Sequence, residues 1–191
     1  MNKMLSVILG ATLLAATTLA VAEPVSYTID PTHTDVFAES RHFGTSTTRS
    51  RFAGKSGTIT IDTAAKTGKA SITIDIASVT TGVTKLDDHL KSISFFDASG
   101  YPEATFVSTA FTFEGDKVTQ ISGDLTMKGK TNPVVLKASN YNCYMSPSFK
   151  KQVCGGDFEA TIQRSLWDVK YAIPLVSDGT KLAIQIEAIK D

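Results

Sequence analysis

Three histidines, His33, His42 and His89, are the side chains in this sequence best suited to acid–base chemistry or metal binding. His33 and His42 lie an odd number of positions apart on one predicted strand, so they point to opposite faces. His89 lies on a predicted helix beside Asp87 and Asp88. His42, His89 and one of these carboxylates can form a three-ligand metal site, which would indicate a metal-dependent enzyme. The alternative is that each histidine pairs with buried backbone groups or lies at a rim.

Two cysteines, Cys143 and Cys154, are the other reactive side chains. The sequence has no C-x-x-C motif, and a cysteine pair in an exported protein normally forms a disulfide. On the chain-entropy model such a bond stabilises the fold by roughly 3 kcal/mol. There is also no G-x-S-x-G motif and no glycine-rich phosphate loop. We therefore predict a Cys143–Cys154 disulfide, no catalytic residue and no metal ligand.

The N-terminus has the pattern of a secretory signal peptide. Lys3 precedes an apolar run from Leu5 to Leu19, and small residues follow as far as Ala22. We predict that residues 1–22 are the signal peptide, cleaved after Ala22, and that residues 23–191 form one domain. A membrane anchor is the alternative, although the run is short and contains polar residues. No later run is long and apolar enough to cross a bilayer, which predicts no stable membrane insertion.

The charge balance argues against one class of partner. The chain has 19 basic and 19 acidic residues, and loss of Lys3 leaves a net charge of about −1. Proteins that bind nucleic acid usually present a basic face. We therefore expect no nucleic-acid partner.

The elements that position these residues are predicted to be mostly strands. Apolar and polar residues alternate along short segments, beginning with Val25–Asp30 and His33–Phe43, and turn residues separate the segments. Val36, Ala38, Ser40 and His42 share one face of the second segment. The pattern predicts an all-β fold of eight antiparallel strands, in a barrel or a sandwich, with a short helix between strands 4 and 5.

The stretch Thr84–Ser108 interrupts this pattern. Leu86 and Leu90 lie one turn apart and predict a helix with one apolar face. Thr84 precedes Asp87 by three positions, a capping-box-like start. Several aromatic residues follow the helix, which suggests a plug or a gate for an apolar ligand inside the strands. The simpler interpretation is that these rings are ordinary core.

Five segments of the chain resemble the YceI-like family. They are, in order, YTIDPTHTDVFAESRHFG (Tyr27–Gly44), SVTTG (Ser78–Gly82), LDDHLKSISFFDASGYPEATFVST (Leu86–Thr109), GDLTMKGKTNPVVL (Gly123–Leu136) and ATIQRS (Ala160–Ser165). The most specific part is D-x-H-L followed by F-F-D and Y-P. The segments cover nearly the whole of the chain after residue 22.

This resemblance implies a lipocalin-like barrel of eight antiparallel strands with a helix insertion. It implies a periplasmic protein, often a homodimer, that binds a polyisoprenoid or a related long-chain lipid in its lumen; polyprenyl phosphates, isoprenoid quinones and fatty amides are the ligand classes. The positions that match the family motifs are His33, Arg41, His42, Asp87, His89, Leu90, Phe95, Phe96, Asp97 and Arg164.

The sequence departs from the family after Arg164. The family commonly has a phenylalanine followed by a glycine here, whereas this sequence has Leu166, Trp167 and Asp168. Trp167 replaces the phenylalanine and Asp168 replaces the glycine. The bulk of Trp167 is expected to narrow one end of the tunnel.

Residues and resemblance together predict a lipid carrier that is not an enzyme and has no cofactor apart from its bound isoprenoid-type or fatty lipid. The expected ligand-binding residues are Val36, Ala38, His42, Ile72, Ile74, Ile76, Leu86, Asp87, His89, Leu90, Phe95, Phe96, Phe106, Phe111, Arg164 and Trp167. Two alternatives stay open: a metal-dependent enzyme that uses His42 and His89, and an envelope stress protein whose barrel is filled by its own side chains.

Overall fold

The fold is an antiparallel β-structure, described by a computed structural model for residues 23–191. Within this range the chain forms eleven strands: β1 Val25–Ile29, β2 Asp35–His42, β3 Ser46–Phe52, β4 Lys55–Asp62, β5 Thr67–Asp75, β6 Val79–Thr80, β7 Glu103–Glu114, β8 Lys117–Met127, β9 Lys130–Met145, β10 Gln152–Gln163 and β11 Val176–Lys190. Helix α1 spans Thr84–Lys91, and short 3-10 turns span Ile76–Ser78 and Arg164–Trp167. The predicted signal peptide lies outside the described residues.

The strands close into a ring. Strand β1 pairs with β4 on one side and with β11 on the other, and each remaining strand pairs with its neighbours in antiparallel register. Strands β1 and β2 lie end to end against β11, because Ile29 pairs with Ala188 and Val36 with Ile184. We call each position around the ring a wall. Strands β1 and β2 form the first wall, β3 and β4 the second, and β5 and β6 the third. Each of the five remaining strands forms a wall of its own, so the barrel has eight walls.

The predicted eight-stranded antiparallel barrel is therefore confirmed. The first two predicted strands form a single interrupted wall, so α1 follows the third wall of the ring and precedes the fourth. The cause is the turn after Asp30, where Pro31 interrupts the hydrogen-bond ladder without changing the direction of the chain.

Asp30 organises that turn. Its buried carboxylate accepts hydrogen bonds from the Thr32 backbone N–H at 2.8 Å and the Thr32 hydroxyl at 2.6 Å, and it pairs with His33 Nδ1 at 2.6 Å. Burial alone would raise the pKa of Asp30, but the hydrogen bonds from His33 and Thr32 outweigh it and hold the pKa at about 2. The same pair raises the pKa of His33, an exposed side chain.

Acid should therefore destabilise the barrel through Asp30. A depressed carboxyl pKa contributes stability above the unfolded value near 4, and that contribution is lost as the pH falls toward about 2. We expect Asp30→Asn to lower the free energy of unfolding at neutral pH by about 1–2 kcal/mol and to flatten its dependence between about pH 4 and 2. Urea unfolding at a series of pH values measures this. The same change at exposed Asp116 is the control. If the slope of the unfolding free energy against pH is unchanged in Asp30→Asn, Asp30 is not the group that makes the barrel sensitive to acid.

Helix α1 begins without a capping box, and hydrogen bonds attach its first turn to the segment before it. Apolar Val83 occupies the N-cap position with no side-chain cap hydrogen bond, and the Asp87 carboxylate accepts hydrogen bonds from Thr80 and Thr81 instead. The capping-box-like start predicted from Thr84 and Asp87 is wrong because Thr80, at the end of β6, and Thr81, just after it, bind the carboxylate. No helix in the described range is long and apolar enough to cross a membrane.

The barrel has two apolar clusters. The larger cluster runs along the lumen and includes Leu90, Phe95 and Trp167 at the end covered by α1, which we call the helix end. The smaller cluster surrounds Tyr27 and Cys154 at the opposite end. Here Cys143 and Cys154 lie directly opposite each other on β9 and β10 and form the predicted disulfide, with an S–S distance of 2.05 Å. We call this the disulfide end.

Candidate ligand-binding site

The lumen of the barrel contains two adjacent chambers. A wide chamber of about 380 Å³ lies at the helix end, and a narrow chamber of about 120 Å³ lies toward the disulfide end. Four residues, Val36, Ile74, Leu125 and Leu182, line both chambers and form the neck between them. Strand rise and typical barrel tilt give the two chambers together a length of roughly 30 Å. An extended apolar chain fits this shape better than a compact ligand does.

The narrow chamber is almost wholly apolar. Of the residues predicted from the sequence, it is lined by Val36, Ile72, Ile74, Phe106 and Phe111. Two rings in this set lie flat over glycines of neighbouring strands: an added Cβ at Gly123 would lie 2.4 Å from the Phe106 ring, and one at Gly68 would lie 2.7 Å from the Phe111 ring. These glycines let the rings lie against the wall, which leaves the centre of the lumen open.

The wide chamber has an apolar side supplied by α1 and the segment after it. Leu86 and Leu90 point into the lumen, as the helical spacing predicts, and Phe95 and Phe96 continue the same surface. Phe96 packs edge-on against Phe52 at a centroid distance of 5.6 Å. The residues predicted from the sequence that line this chamber are Val36, Ala38, His42, Ile74, Ile76, Leu86, Leu90, Phe95, Phe96 and Arg164.

The polar groups of the wide chamber lie on the facing side, among apolar residues of the same strands. This side is formed by β2, β3 and β11, and its polar members are Ser40, His42, Thr48, Ser50 and Thr180. We call these five residues the polar stripe. The hydroxyls of Ser40 and Thr180 lie 2.9 Å apart and share a hydrogen bond. The stripe offers hydroxyl and imidazole groups, which bind a neutral polar head group well.

Arg164 lies beneath this side and is 5% exposed. Its guanidinium donates hydrogen bonds to the carbonyl oxygens of Val169, Tyr171, Val176 and Ser177, at 2.7–3.0 Å. These bonds secure the segment that runs from the 3-10 turn to β11. The guanidinium also helps to hold the pKa of the Asp178 carboxyl below its usual value, although burial alone would raise it and hydrogen bonds from Ser165 contribute more. Of the described residues that line the wide chamber, Arg164 is the only Arg or Lys.

Three residues predicted from the sequence lie outside both chambers. Asp87 accepts three hydrogen bonds from Thr80 and Thr81, and those from Thr81 are the main reason that its pKa is lowered. The His89 ring packs edge-on against Phe95 and Tyr171, with centroids 5.1 and 4.7 Å away. Direct contact of Asp87 and His89 with a ligand stays a prediction. In the structure, their contacts are suited to holding α1 in position.

Trp167 is the third of these residues and lies in the core. It is 1% exposed, and its indole N–H donates to the Leu125 carbonyl at 2.9 Å. Asp168 follows in the left-handed conformation, with φ 61°. The family's usual glycine suits this conformation without strain, and aspartate is among the residues that tolerate it.

Sequence reasoning missed several lining residues. Thr48, Ser50 and Thr180 are polar and gave no apolar signal, although strand alternation places the first two on the same face as buried Phe52. Leu125 and Leu182 at the neck were also missed, because the register that brings their strands to one level is not visible in the sequence.

Within the described residues, His42 and His89 are not brought together into a metal-binding group. Among residues 23–191 there is no group of three or more His, Cys, Asp and Glu side chains arranged to hold a metal ion. His42 lies at the rim of the wide chamber, and His89 is held among aromatic rings. The two histidines therefore lie on different surfaces.

The chain is similar to several known proteins. A family model described as "YceI-like domain" matches residues 27–188. "Protein YceI" of Escherichia coli is 31% identical over 191 residues, covering 100% of this chain and 99% of the relative. A UPF0312 protein of Pseudomonas putida is 34% identical over 189 residues, covering 95% of this chain and 94% of the relative.

Solved structures have the same fold. BcnA of Burkholderia cenocepacia superposes with a TM-score of 0.70 at 28% identity, covering 84% of this chain and 99% of BcnA. A structure described as a polyisoprenoid binding domain from Saccharophagus degradans superposes with a TM-score of 0.61 at 15% identity, covering 87% of this chain and 99% of that domain. At that identity the second likeness shows the fold alone.

Proposed function

The chain belongs to the YceI-like domain family, and from this premise we propose that it binds a long-chain isoprenoid or fatty lipid in the barrel lumen. The observation that carries the proposal is the apolar lumen, in which the wide and the narrow chamber lie end to end and meet at the neck residues. Each buried methylene contributes about 0.8 kcal/mol, so about ten contribute roughly 8 kcal/mol before the costs of association. One structural neighbour is described as a polyisoprenoid binding domain, which is consistent with this ligand class.

We propose that the tail lies in the narrow chamber and the head group lies against the polar stripe. The stripe presents hydroxyls and His42, and the four hydrogen bonds of Arg164 to backbone carbonyls leave its guanidinium little capacity for an anion. Placing a phosphate here would require its desolvation without a matching cation. The lumen therefore favours a neutral head group, such as an alcohol, an amide or a quinone carbonyl, over a polyprenyl phosphate.

Displacement of a fluorescent fatty probe tests both parts of the proposal. We expect a long-chain isoprenoid alcohol to displace the probe about tenfold more effectively than its monophosphate does. Failure of the protein to bind any long-chain probe would rule out the carrier function. Tighter binding of the monophosphate would rule out the neutral head group and leave the carrier function standing.

The same proposal includes a binding role rather than catalysis, and a location outside the cytoplasm. The disulfide at one end of the barrel suits an oxidising compartment such as the periplasm. The empty volume in the lumen argues against the stress-protein alternative, in which side chains would fill the barrel. A homodimer is part of the proposal, and sedimentation of the purified protein would test it.

We propose that α1 is the gate, and that Asp87 keeps it closed. The Asp87 carboxylate ties the first helical turn to Thr80, the last residue of β6, and to Thr81, which follows it. Asp87→Ala removes all three hydrogen bonds, so we expect lipid exchange to become about tenfold faster. Stopped-flow transfer of a fluorescent lipid to acceptor vesicles measures the rate. Asp88→Ala, an exposed neighbour in the same turn, is the control, and equal rates in the two variants would contradict the role of Asp87.

A further inference from the structure

The lumen ends at the disulfide end in a wall one side chain thick. Four residues line both the narrow chamber and a separate outer cleft of about 400 Å³: Tyr27, Ile61, Tyr141 and Cys154. Glu23, Asp116 and Lys117 contribute to that outer cleft. These four residues therefore lie between the two spaces, and the two tyrosines are the largest of them.

Each tyrosine hydroxyl lies beside a polar or a sulfur atom. The Tyr27 hydroxyl donates to Gln152 Oε1 at 2.9 Å, and Tyr27 is 5% exposed. The Tyr141 hydroxyl lies 3.6 Å from the Cys143 sulfur, and burial raises the pKa of Tyr141 to about 12. Both phenols are neutral at physiological pH, so they present uncharged rings to the lumen.

The backbone around this wall cannot easily move apart to admit a ligand. The disulfide joins β9 and β10 at the level of the tyrosines. Next to it, a Cβ at Gly155 would lie 2.1 Å from the Ile186 carbonyl oxygen, and one at Gly156 would lie 2.2 Å from the Asn140 carbonyl oxygen, so the strands are in close contact. With the frame held in this way, the side chains decide whether the lumen is closed.

We propose that Tyr27 and Tyr141 form a stop that sets the maximum length of the bound tail, and that removing a ring joins the lumen to the outer cleft. This inference rests on the proposed carrier function. A tail that reaches the rings gains nothing from further methylenes, because these would have to fold back or displace the tyrosines. A variant without one ring gives the end of the tail the space of a phenol and a route into the outer cleft.

Binding of straight-chain primary amides of stepwise increasing length tests the stop. In the wild-type protein we expect affinity to rise about fourfold per methylene up to a break, beyond which it no longer rises. Tyr141→Ala should move the break to chains longer by roughly two to four methylenes, since it vacates the volume of a phenol ring. Tyr141→Phe keeps the ring and should leave the break unchanged.

Two further variants keep the test decisive. Ile61→Ala opens the same wall from β4 and should also lengthen the accepted chain if Tyr141→Ala does not fold. Tyr144→Ala removes an exposed tyrosine of the same strand and should have no effect. If both variants fold and affinity still stops rising at the same chain length as in the wild-type protein, the tyrosine stop is contradicted and the carrier function still stands. Failure of the wild-type protein to bind any amide or other long-chain lipid would overturn both.

Discussion

Ile74→Trp is expected to weaken the binding of a long-chain lipid by about a thousandfold. Ile74 lies at the neck, where the two chambers meet, and an indole there would close the narrow chamber to the tail. Exclusion of about five methylenes from the lumen costs roughly 4 kcal/mol of binding free energy, which corresponds to about three orders of magnitude. Titration with a fluorescent fatty probe measures the change.

The empty space on both sides of the neck should accommodate the indole, so the variant is expected to stay folded. Thermal unfolding checks this, with overpacking expected to cost no more than about 1–3 kcal/mol. Ser71→Trp is the matched control, because it adds the same side chain to the same strand at an exposed position. If Ile74→Trp binds the probe as tightly as Ser71→Trp does, the tail does not pass through the neck.

Arg164→Leu is expected to produce the largest loss of stability of any single substitution considered for this barrel. The change removes four hydrogen bonds and leaves the carbonyls of Val169, Tyr171, Val176 and Ser177 without their donor. Each buried carbonyl that loses its partner costs about 1–3 kcal/mol, and partial movement of the segment should reduce the total to about 4 kcal/mol. That is a large share of the 5–15 kcal/mol typical of a whole domain.

Chemical denaturation measures this loss as a lower free energy of unfolding. In a thermal melt it should appear as a fall of about 10 °C in Tm. Arg49→Leu provides the comparison, because Arg49 is an exposed residue paired with Glu39 and should change stability by no more than about 1 kcal/mol. Arg164→Lys should fall between the two, since an ammonium cannot reach all four carbonyls. A loss in Arg164→Leu no larger than that in Arg49→Leu would show that the guanidinium does not secure the segment.

Strand alternation predicted antiparallel strands in a barrel or a sandwich, and the resemblance to the YceI-like family decided for the barrel. The helical spacing of Leu86 and Leu90 likewise predicted the face of α1 that covers the wide chamber. The end-to-end arrangement of β1 and β2 could not be predicted. A proline turn normally separates two paired strands, and only the register against β11 places both in one wall.

The environments of individual polar residues were harder to predict. Asp87 has the position of a helix-capping residue in the sequence, yet the competing hydroxyls belong to a different element, and their proximity depends on the tertiary fold. Trp167 likewise lines neither chamber and is buried, with its indole N–H bonded to a carbonyl of β8, so its predicted contact with ligand stays a prediction. The polar stripe gave no sequence signal beyond its alternation, since hydroxyl side chains are as common on outer faces of strands as on inner ones.

Native mass spectrometry of the protein purified without detergent tests the central claim most directly. We expect a stoichiometric adduct with the mass of a long-chain lipid, which organic extraction releases. Ser71→Trp should retain the adduct, and Ile74→Trp should lack it. The contradicting result is a wild-type protein that carries no adduct and acquires none when incubated with isoprenoid alcohols, isoprenoid quinones or fatty amides.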